Sequence, residues 1–274
     1  MTTPKRKKKK SKQSTLPPFL IPAAIALVLL VLILLIGNRT TEPALTTAPT
    51  EVTVEVNPYL PGDFVYENGY LSCSVADAAL GIDVSEHQQA VDWDQVRNAG
   101  MEFVMIRAGY RGYTEGELYE DSMFRSHLAG AKDAGLKVGV YFFSQATTPE
   151  EAEEEAAFVL KLLKKTDLDL PVVYDWEYVS TDARTAAMDR RTLTDCAIAF
   201  CEAIEDAGFD PMVYFNPDLA RNMFLLEELT TYDFWLAMYD DQMDFPFRVD
   251  LWQYTHTGSV PGIEGDVDVN LYLP

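Results

Sequence analysis

Two acidic residues stand at the end of an apolar segment, where a buried strand would finish. In PVVYDWEY, residues 171–178, they are Asp175 and Glu177. Residues two apart in a strand point to the same face, and a rise of about 3.3 Å per residue separates their Cα atoms by about 6.6 Å. When two carboxylates lie close together, the pKa of one of them rises. A protonated carboxyl group beside an ionised one is what cleavage of a glycosidic bond requires. The alternative is that one acid caps the following segment and the other is solvated.

Two further aspartates stand in candidate strands near the two ends of the same region. Asp83 lies in GIDVS, where its ordinary role would be to cap a turn, and Asp268 lies in GDVDVN, where it would be an edge charge. In a closed barrel the first and last strands are neighbours. We therefore predict that Asp83, Asp175, Glu177 and Asp268 converge on one mouth as the catalytic group.

Aromatic and polar residues surround the same positions. Aromatic side chains at strand ends can stack on sugar rings, although many aromatics fill the core. Arg107 and Gln253 are polar residues in apolar strands, and each fits either a structural hydrogen bond or a substrate contact. The predicted substrate-binding residues are Arg107, Tyr141, Tyr214, Tyr239, Trp252 and Gln253.

Short apolar runs alternate with amphipathic helical patterns from residue 81 onward. Strands are predicted at 81–84, 103–108, 137–143, 171–176, 212–215, 234–238, 249–254 and 267–271, and helices at 93–98, 122–134, 149–165 and 192–207. The alternation predicts an α/β fold with parallel strands, and eight strands favour a TIM-like β/α barrel. It should be irregular because the last three strands leave no room for long helices. An open doubly wound sheet is the alternative, but no phosphate-binding glycine loop follows a strand.

The charge distribution argues against nucleic acid as a partner. Residues 38–274 hold all 43 acidic residues and 15 of the 22 basic ones, so phosphate would be repelled. Three scattered histidines and three cysteines show no metal-ligand spacing, and we expect neither a metal nor another cofactor. Too few cysteines are present for a disulfide framework.

The first 37 residues have the pattern of a membrane anchor. These residues include seven basic side chains and no acidic ones, and residues 19–36 form a run of 18 residues without charge. That length is close to the ~20 residues that cross a bilayer, and the basic flank predicts a cytoplasmic N-terminus. We predict a tail at 1–18, a single transmembrane helix at 19–37, an exported linker and extension at 38–78, and a catalytic domain at 79–274. A cleaved signal peptide is the alternative.

The order and spacing of five segments resemble the family 25 glycoside hydrolases, the Chalaropsis-type lysozymes. The resemblance covers residues 79–274, and the segments are GIDVSEHQ at 81–88, FVMIRAGYRG at 103–112, KVGVYFFSQA at 137–146, PVVYDWEY at 171–178 and LWQYTHTGSVPGIEGDVDVN at 251–270. Together with the predicted anchor, the resemblance indicates a membrane-anchored bacterial member of that family that acts on the cell wall.

The resemblance implies hydrolysis of the β-1,4 bond between N-acetylmuramic acid and N-acetylglucosamine in peptidoglycan. Glu177 would be the general acid/base, and Asp175 its carboxylate partner, either as nucleophile or by orienting the acetamido group of the substrate. Asp83 and Asp268 match the other two family carboxylates. Many relatives carry a histidine where this chain has Phe142, so local substrate contacts would differ.

Three functions are compatible with these features. The first is an active muramidase, the second a non-catalytic wall-binding module on the same barrel, and the third a barrel glycosidase acting on a chitin-like polymer. Retention of all four carboxylates disfavours the second. A zinc amidase would lack its ligands, and a cysteine peptidase would need a paired cysteine and histidine.

Overall fold

The computed structural model describes residues 53–164 and 166–274. The strands of this part are β1 (Phe64–Glu67), β2 (Tyr70–Cys73), β3 (Ala79–Val84), β4 (Phe103–Arg111), β5 (Leu118–Glu120), β6 (Lys137–Ser144), β7 (Val172–Trp176), β8 (Pro211–Phe215), β9 (Asp233–Ala237), β10 (Leu251–Gly258) and β11 (Val267–Tyr272). Its helices are α1 (Trp93–Asn98), α2 (Phe124–Asp133), α3 (Pro149–Leu163), α4 (Arg190–Asp206) and α5 (Pro217–Asn222).

Eight of these strands close into a barrel, as the sequence predicts. Their order is β3, β4, β6, β7, β8, β9, β10 and β11, and β11 pairs back onto β3. Strands β3 to β10 of the ring run in one direction, but β11 is antiparallel to both of its neighbours. The reason is the short connection at residues 259–266, because a hairpin loop reverses the chain whereas a parallel return needs a long crossover.

The helices begin and end where local residues supply partners for the backbone. The side chain of Thr148 accepts a hydrogen bond from the Glu151 amide at the start of α3, and Asp189 does the same for Arg191 and Thr192 at the start of α4. These caps satisfy donors that have no partner within the helix. Asp189 also explains why α4 starts two residues before the predicted residue 192. Glycines with positive φ follow the ends of α1, α2 and α4 at Gly100, Gly135 and Gly208.

Alternation along the strands separates two apolar layers. Phe103, Met105, Val173, Trp235 and Leu251 belong to the cluster that fills the interior of the barrel. Their neighbours in sequence belong to a larger cluster, which packs the outside of the strands against the helices. Side chains that end the strands on the inner face are therefore delivered to the mouth of the barrel.

The N-terminal hairpin of β1 and β2 packs against the outside of the barrel. The Phe64 ring contacts Trp252 edge-on at a centroid distance of 4.9 Å, and the Leu71 amide donates to the Tyr254 hydroxyl at 3.3 Å. Part of the segment predicted as linker and extension at 38–78 thus packs against β10. The predicted tail at 1–18 and membrane helix at 19–37 lie outside the described residues. Among the residues that are described, no helix is long and apolar enough to span a membrane.

Candidate active site

The four predicted acids lie at one mouth of the barrel. Asp83 is near the end of β3, Asp175 near the end of β7, and Glu177 directly follows β7. Asp268 is near the beginning of β11, and it pairs in register with Asp83. Because β11 runs opposite to the other strands, its beginning lies where theirs end.

A cavity of ≈ 330 Å³ opens between these acids. Its lining combines the four carboxyl groups with aromatic, basic and amide side chains: Asp83, Asp175, Glu177, Asp268, Ser85, His87, Gln88, Arg107, Tyr141 and Phe143. A smaller cavity of ≈ 120 Å³ shares the four acids and Tyr141, and it is also lined by Tyr214, Trp235, Tyr239 and Gln253. The site is a polar cleft of a size that accommodates a sugar ring.

Asp83 differs from the other acids in receiving two amide hydrogen bonds, which favour its ionised form. The side-chain amides of Gln253 and Asn270 both donate to its Oδ2 atom at 2.8 Å. The Asn270 oxygen accepts from the Trp235 indole at 2.9 Å, which turns the Asn270 nitrogen toward Asp83. Burial raises the pKa of Asp83, while the hydrogen bonds from Asn270, Gln253 and Asp268 lower it. Donors of this kind favour the charged form.

The other three acids hold their protons more tightly than free carboxyl groups do. Burial and the neighbouring Asp83 raise the pKa of Asp268 to about 9. Burial and the charge of Glu177 raise the pKa of Asp175 well above its ordinary value. Burial and Asp83 also raise the pKa of Glu177. The hydrogen bonds to Asp83 thus favour an anion at that position, while the raised pKa values of its neighbours favour carboxylic acids able to donate a proton.

Five of the six predicted substrate-binding residues face this cleft. Tyr214 and Tyr239 donate from their hydroxyls to the Gln253 oxygen at 3.3 and 3.1 Å. This leaves the Gln253 nitrogen to donate to Asp83. Arg107 donates to Asp121 at 2.8 Å and to Glu86 at 3.3 Å. Tyr141 lines both cavities.

The prediction that Trp252 contacts substrate is wrong. Gln253 faces the interior, so its neighbour Trp252 must point outward from the same strand. The Trp252 side chain is fully buried, packs against Phe64 and Tyr254, and donates from its indole to the Met238 carbonyl at 2.8 Å. Phe142, where the resemblance implied a histidine in many relatives, also faces outward and packs against Phe158.

Sequence reasoning did not identify Gln145 and Asn270 as part of the site. Gln145 is fully buried, and its side-chain nitrogen donates to the Glu177 carbonyl at 3.1 Å. Its side-chain oxygen accepts from the Thr185 hydroxyl at 2.7 Å, and its backbone amide donates to Glu155 at 3.3 Å. Glu177 lies beyond the last residue of β7, so Gln145 holds a backbone that no strand pairing fixes.

The same reasoning did not select the turn after β3 either. Ser85, His87 and Gln88 line the cavity from a short helical turn, Glu86–Gln88. The Ser85 side chain accepts from the His87 amide. The motif GIDVSEHQ contained a signal for this turn, since a serine followed three residues later by glutamine is a capping pattern. Within residues 53–164 and 166–274, no cluster of three or more histidine, cysteine or acidic residues is arranged to hold a metal ion.

Comparisons with known proteins agree with this architecture. A family model described as glycosyl hydrolases family 25 matches residues 82–263. The chain is 28% identical over 191 residues to an autolytic lysozyme of Clostridium acetobutylicum, covering 69% of this chain and 54% of that protein. It superposes on the modular autolysin LytC from Streptococcus pneumoniae with a TM-score of 0.64 at 26% identity, covering 76% of this chain and 52% of the LytC chain.

A family GH25 lysozyme from Aspergillus fumigatus superposes with a TM-score of 0.58 at 25% identity, covering 72% of this chain and 94% of the fungal one. The chain spans about half the length of the clostridial and pneumococcal relatives. Fold and site define a β/α-barrel protein with a carboxylate-lined mouth. Since the family model covers most of that barrel, the chain belongs to glycosyl hydrolases family 25.

Proposed function

We propose that this protein is a peptidoglycan hydrolase of the muramidase type, cleaving the β-1,4 bond between N-acetylmuramic acid and N-acetylglucosamine. The observation that carries the proposal is the gathering of four acids around a sugar-sized cavity, with amide hydrogen bonds to Asp83 and raised pKa values for Asp175, Glu177 and Asp268. The pneumococcal relative LytC has been solved in complex with a synthetic peptidoglycan ligand, which supports the same class of substrate here.

Glu177 is the proposed general acid/base. Burial and the Asp83 charge raise its pKa, which favours the protonated carboxyl group that can donate to the bridging oxygen of the glycosidic bond. As the bond between the anomeric carbon and that oxygen breaks, the proton leaves on the departing sugar hydroxyl. The ionised Glu177 then takes a proton from the water that adds to the anomeric carbon, which restores the acid.

Asp175 is the proposed partner, and its surroundings favour an orienting role over a nucleophilic one. A nucleophile must be ionised, whereas burial raises the pKa of Asp175 well above its ordinary value, and the Asp83 charge adds to this even when Glu177 is protonated. A neutral carboxyl group can still accept a hydrogen bond from the acetamido N–H of the substrate. The acetamido oxygen would then attack the anomeric carbon. The positive charge that develops would be stabilised by Asp83.

Replacement of Glu177 by glutamine tests the proposal. We expect Glu177→Gln to lower the release of reducing ends from purified peptidoglycan by about 10²- to 10⁴-fold, the usual contribution of a general acid. The thermal unfolding midpoint should stay unchanged. Glu264→Gln, a substitution of an exposed glutamate, is the matched control and should leave activity intact. Full activity in a folded Glu177→Gln variant would contradict the assignment.

The products separate the remaining possibilities. Mass spectrometry of the released muropeptides should find N-acetylmuramic acid at the new reducing ends. Cleavage of a chitin-like polymer in preference to peptidoglycan would indicate the alternative glycosidase. Sedimentation with peptidoglycan, without any release of reducing ends, would indicate a wall-binding module.

We also propose that residues 19–37 anchor the protein in the cell membrane, with residues 1–18 in the cytoplasm and the catalytic domain outside. The uncharged run of 18 residues and the seven basic residues before it support this topology. In intact protoplasts, added protease should digest the catalytic domain and leave an epitope tag at the N-terminus protected. Protection of the catalytic domain, or its release as a soluble product, would contradict the topology.

A further inference from the structure

A row of aromatic side chains leads out of the cavity across three neighbouring strands. Phe143 of β6 lines the cavity, Tyr110 of β4 pairs with Phe143, and Tyr119 of β5 pairs with Tyr110. Residues directly opposite each other in a sheet share a face. Phe143, Tyr110 and Tyr119 therefore lie in a row on one face of the sheet, here called the aromatic platform, which begins at the cleft and ends at the added strand β5.

The platform is held in a defined geometry. The rings of Tyr110 and Tyr119 are stacked, with centroids 5.3 Å apart and planes inclined by 29°, and the Arg107 guanidinium carbon lies 5.3 Å from the Tyr110 centroid. Gly109 allows β5 to approach this closely, because a Cβ atom at that position would lie 2.3 Å from the Tyr119 carbonyl oxygen. The backbone at the base of the platform is thus fixed by contacts that a larger residue would break.

Packing of the core does not account for these three rings. None of them belongs to the apolar cluster inside the barrel or to the cluster beneath the helices, among the residues that the structure describes. Tyr119 rests one side of its ring on Tyr110, and 43% of the residue remains exposed. An exposed tyrosine with a fixed ring presents a rigid apolar surface with little entropy to lose on binding.

We propose that the aromatic platform binds a further sugar ring of the glycan strand, beyond the sugars held at the four acids. The inference rests on the proposed function and extends it: the preferred substrate is a polymer rather than a short fragment. At about 4.8 Å between strands, Tyr119 on β5 is three spacings, or roughly 14 Å, from Asp175 on β7. That distance exceeds the length of one sugar ring, so the platform contacts a different unit.

The charge around the platform favours a neutral sugar over the peptide stems of the wall. Beside Glu120, which is paired with Arg125 at 2.6 Å, two further acidic residues, Glu115 and Glu117, lie in the hairpin that carries Tyr119. They would repel the carboxylates of a peptide stem. The apolar face of a pyranose ring, in contrast, can stack on tyrosine without bringing any charge.

Comparison of long and short substrates tests the platform. We expect Tyr119→Ala in the full chain to raise KM for long peptidoglycan glycan strands by about 3- to 10-fold, the range for one aromatic stacking contact. The kcat value should stay within about twofold of wild type, because the acids are untouched. Both constants should be unchanged on a glycan fragment with a single cleavable bond. Tyr119→Phe, which keeps the ring, should behave as wild type.

Tyr66→Ala is the matched control, since Tyr66 is 60% exposed on the N-terminal hairpin. This variant should leave KM and kcat unchanged on both substrates. Equal losses on long and short substrates, or no loss at all in Tyr119→Ala, would overturn the platform. If the wild-type protein released nothing from either substrate, the muramidase proposal would fail by itself. The platform would then be judged from sedimentation of Glu177→Gln with intact peptidoglycan, which the additional Tyr119→Ala change should weaken and the additional Tyr66→Ala change should not.

Discussion

The paired aspartates Asp83 and Asp268 should respond very differently to the same substitution. They are register partners on β3 and β11, but Asp83 receives two amide hydrogen bonds, which favour its ionised form. Asp268, with a pKa raised to about 9 by burial and by Asp83, is neutral at pH 7. Asp83→Asn therefore removes a charge from the cavity, whereas Asp268→Asn replaces one neutral group by another.

The size of the cavity sets the expected effect. Charges on opposite sides of a ≈ 330 Å³ cavity are separated by roughly 8 Å, and at an effective dielectric constant of about 20 they interact by about 2 kcal/mol. Losing that attraction for the positive charge developing on the sugar lowers kcat about 30-fold. The same loss lowers the pKa of Glu177, so the alkaline limb of the pH–rate profile moves to lower pH. Asp268→Asn should keep kcat within a few-fold at pH 7.

The assay is the pH dependence of kcat and kcat/KM for the wild type and both variants, from pH 4 to pH 9, on the same peptidoglycan preparation. Thermal unfolding of each variant is the control for folding. Equal losses in the two variants would refute the division into one anion and one neutral acid. So would an alkaline limb that stays in place when Asp83 becomes asparagine.

Two further substitutions test the surroundings of the site and the opposite end of the barrel. Gln145→Leu leaves the Thr185 hydroxyl and the Glu177 carbonyl without their buried hydrogen-bond partner. We expect the free energy of unfolding in urea to fall by at least about 2 kcal/mol. The fall in kcat should be larger than any rise in KM. Unchanged stability and kcat would contradict the positioning role of Gln145. For Asp233, the partial burial of its carboxyl group and the Asp250 charge raise the pKa to about 6, so ionisation increasingly opposes folding between about pH 4 and pH 6, and fully above that range. Asp233→Asn should therefore raise the unfolding midpoint at pH 8 and leave it unchanged at pH 4, and an equal gain at both values would argue against this titration.

The barrel was predictable because its strands and helices carry strong local patterns. All eight ring strands lie where apolar runs predict them, and glycines with positive φ follow three of the helix ends. Strand β5 was not predicted, since its three residues, Leu118–Glu120, are too short to show a period. Its position depends on pairing with β4 and on the space above Gly109, neither of which is visible in a local window.

The site was predictable where strand parity decides it and not where distant contacts do. Asp175 and Glu177 are two residues apart, and both line the cavity. Successive residues of a strand point to opposite faces, so Trp252 and Gln253 cannot both face the interior of the barrel. The prediction that both contact substrate therefore had to fail for one of them. Gln145 reaches Glu177 across 32 residues of sequence, and no spacing rule signals that contact.

The direction of the last strand determines the electrostatics of the whole mouth. Had β11 followed a long crossover and run parallel to β3, a residue near its start would lie at the opposite end of the barrel from Asp83. The short connection instead makes β11 antiparallel and sets Asp268 against Asp83. Asp268 then holds a proton beside the Asp83 anion, and that anion raises the pKa of Glu177. A reversal of chain direction in one loop thus supplies the acid cluster with its fourth member, far in sequence from the Asp175–Glu177 pair.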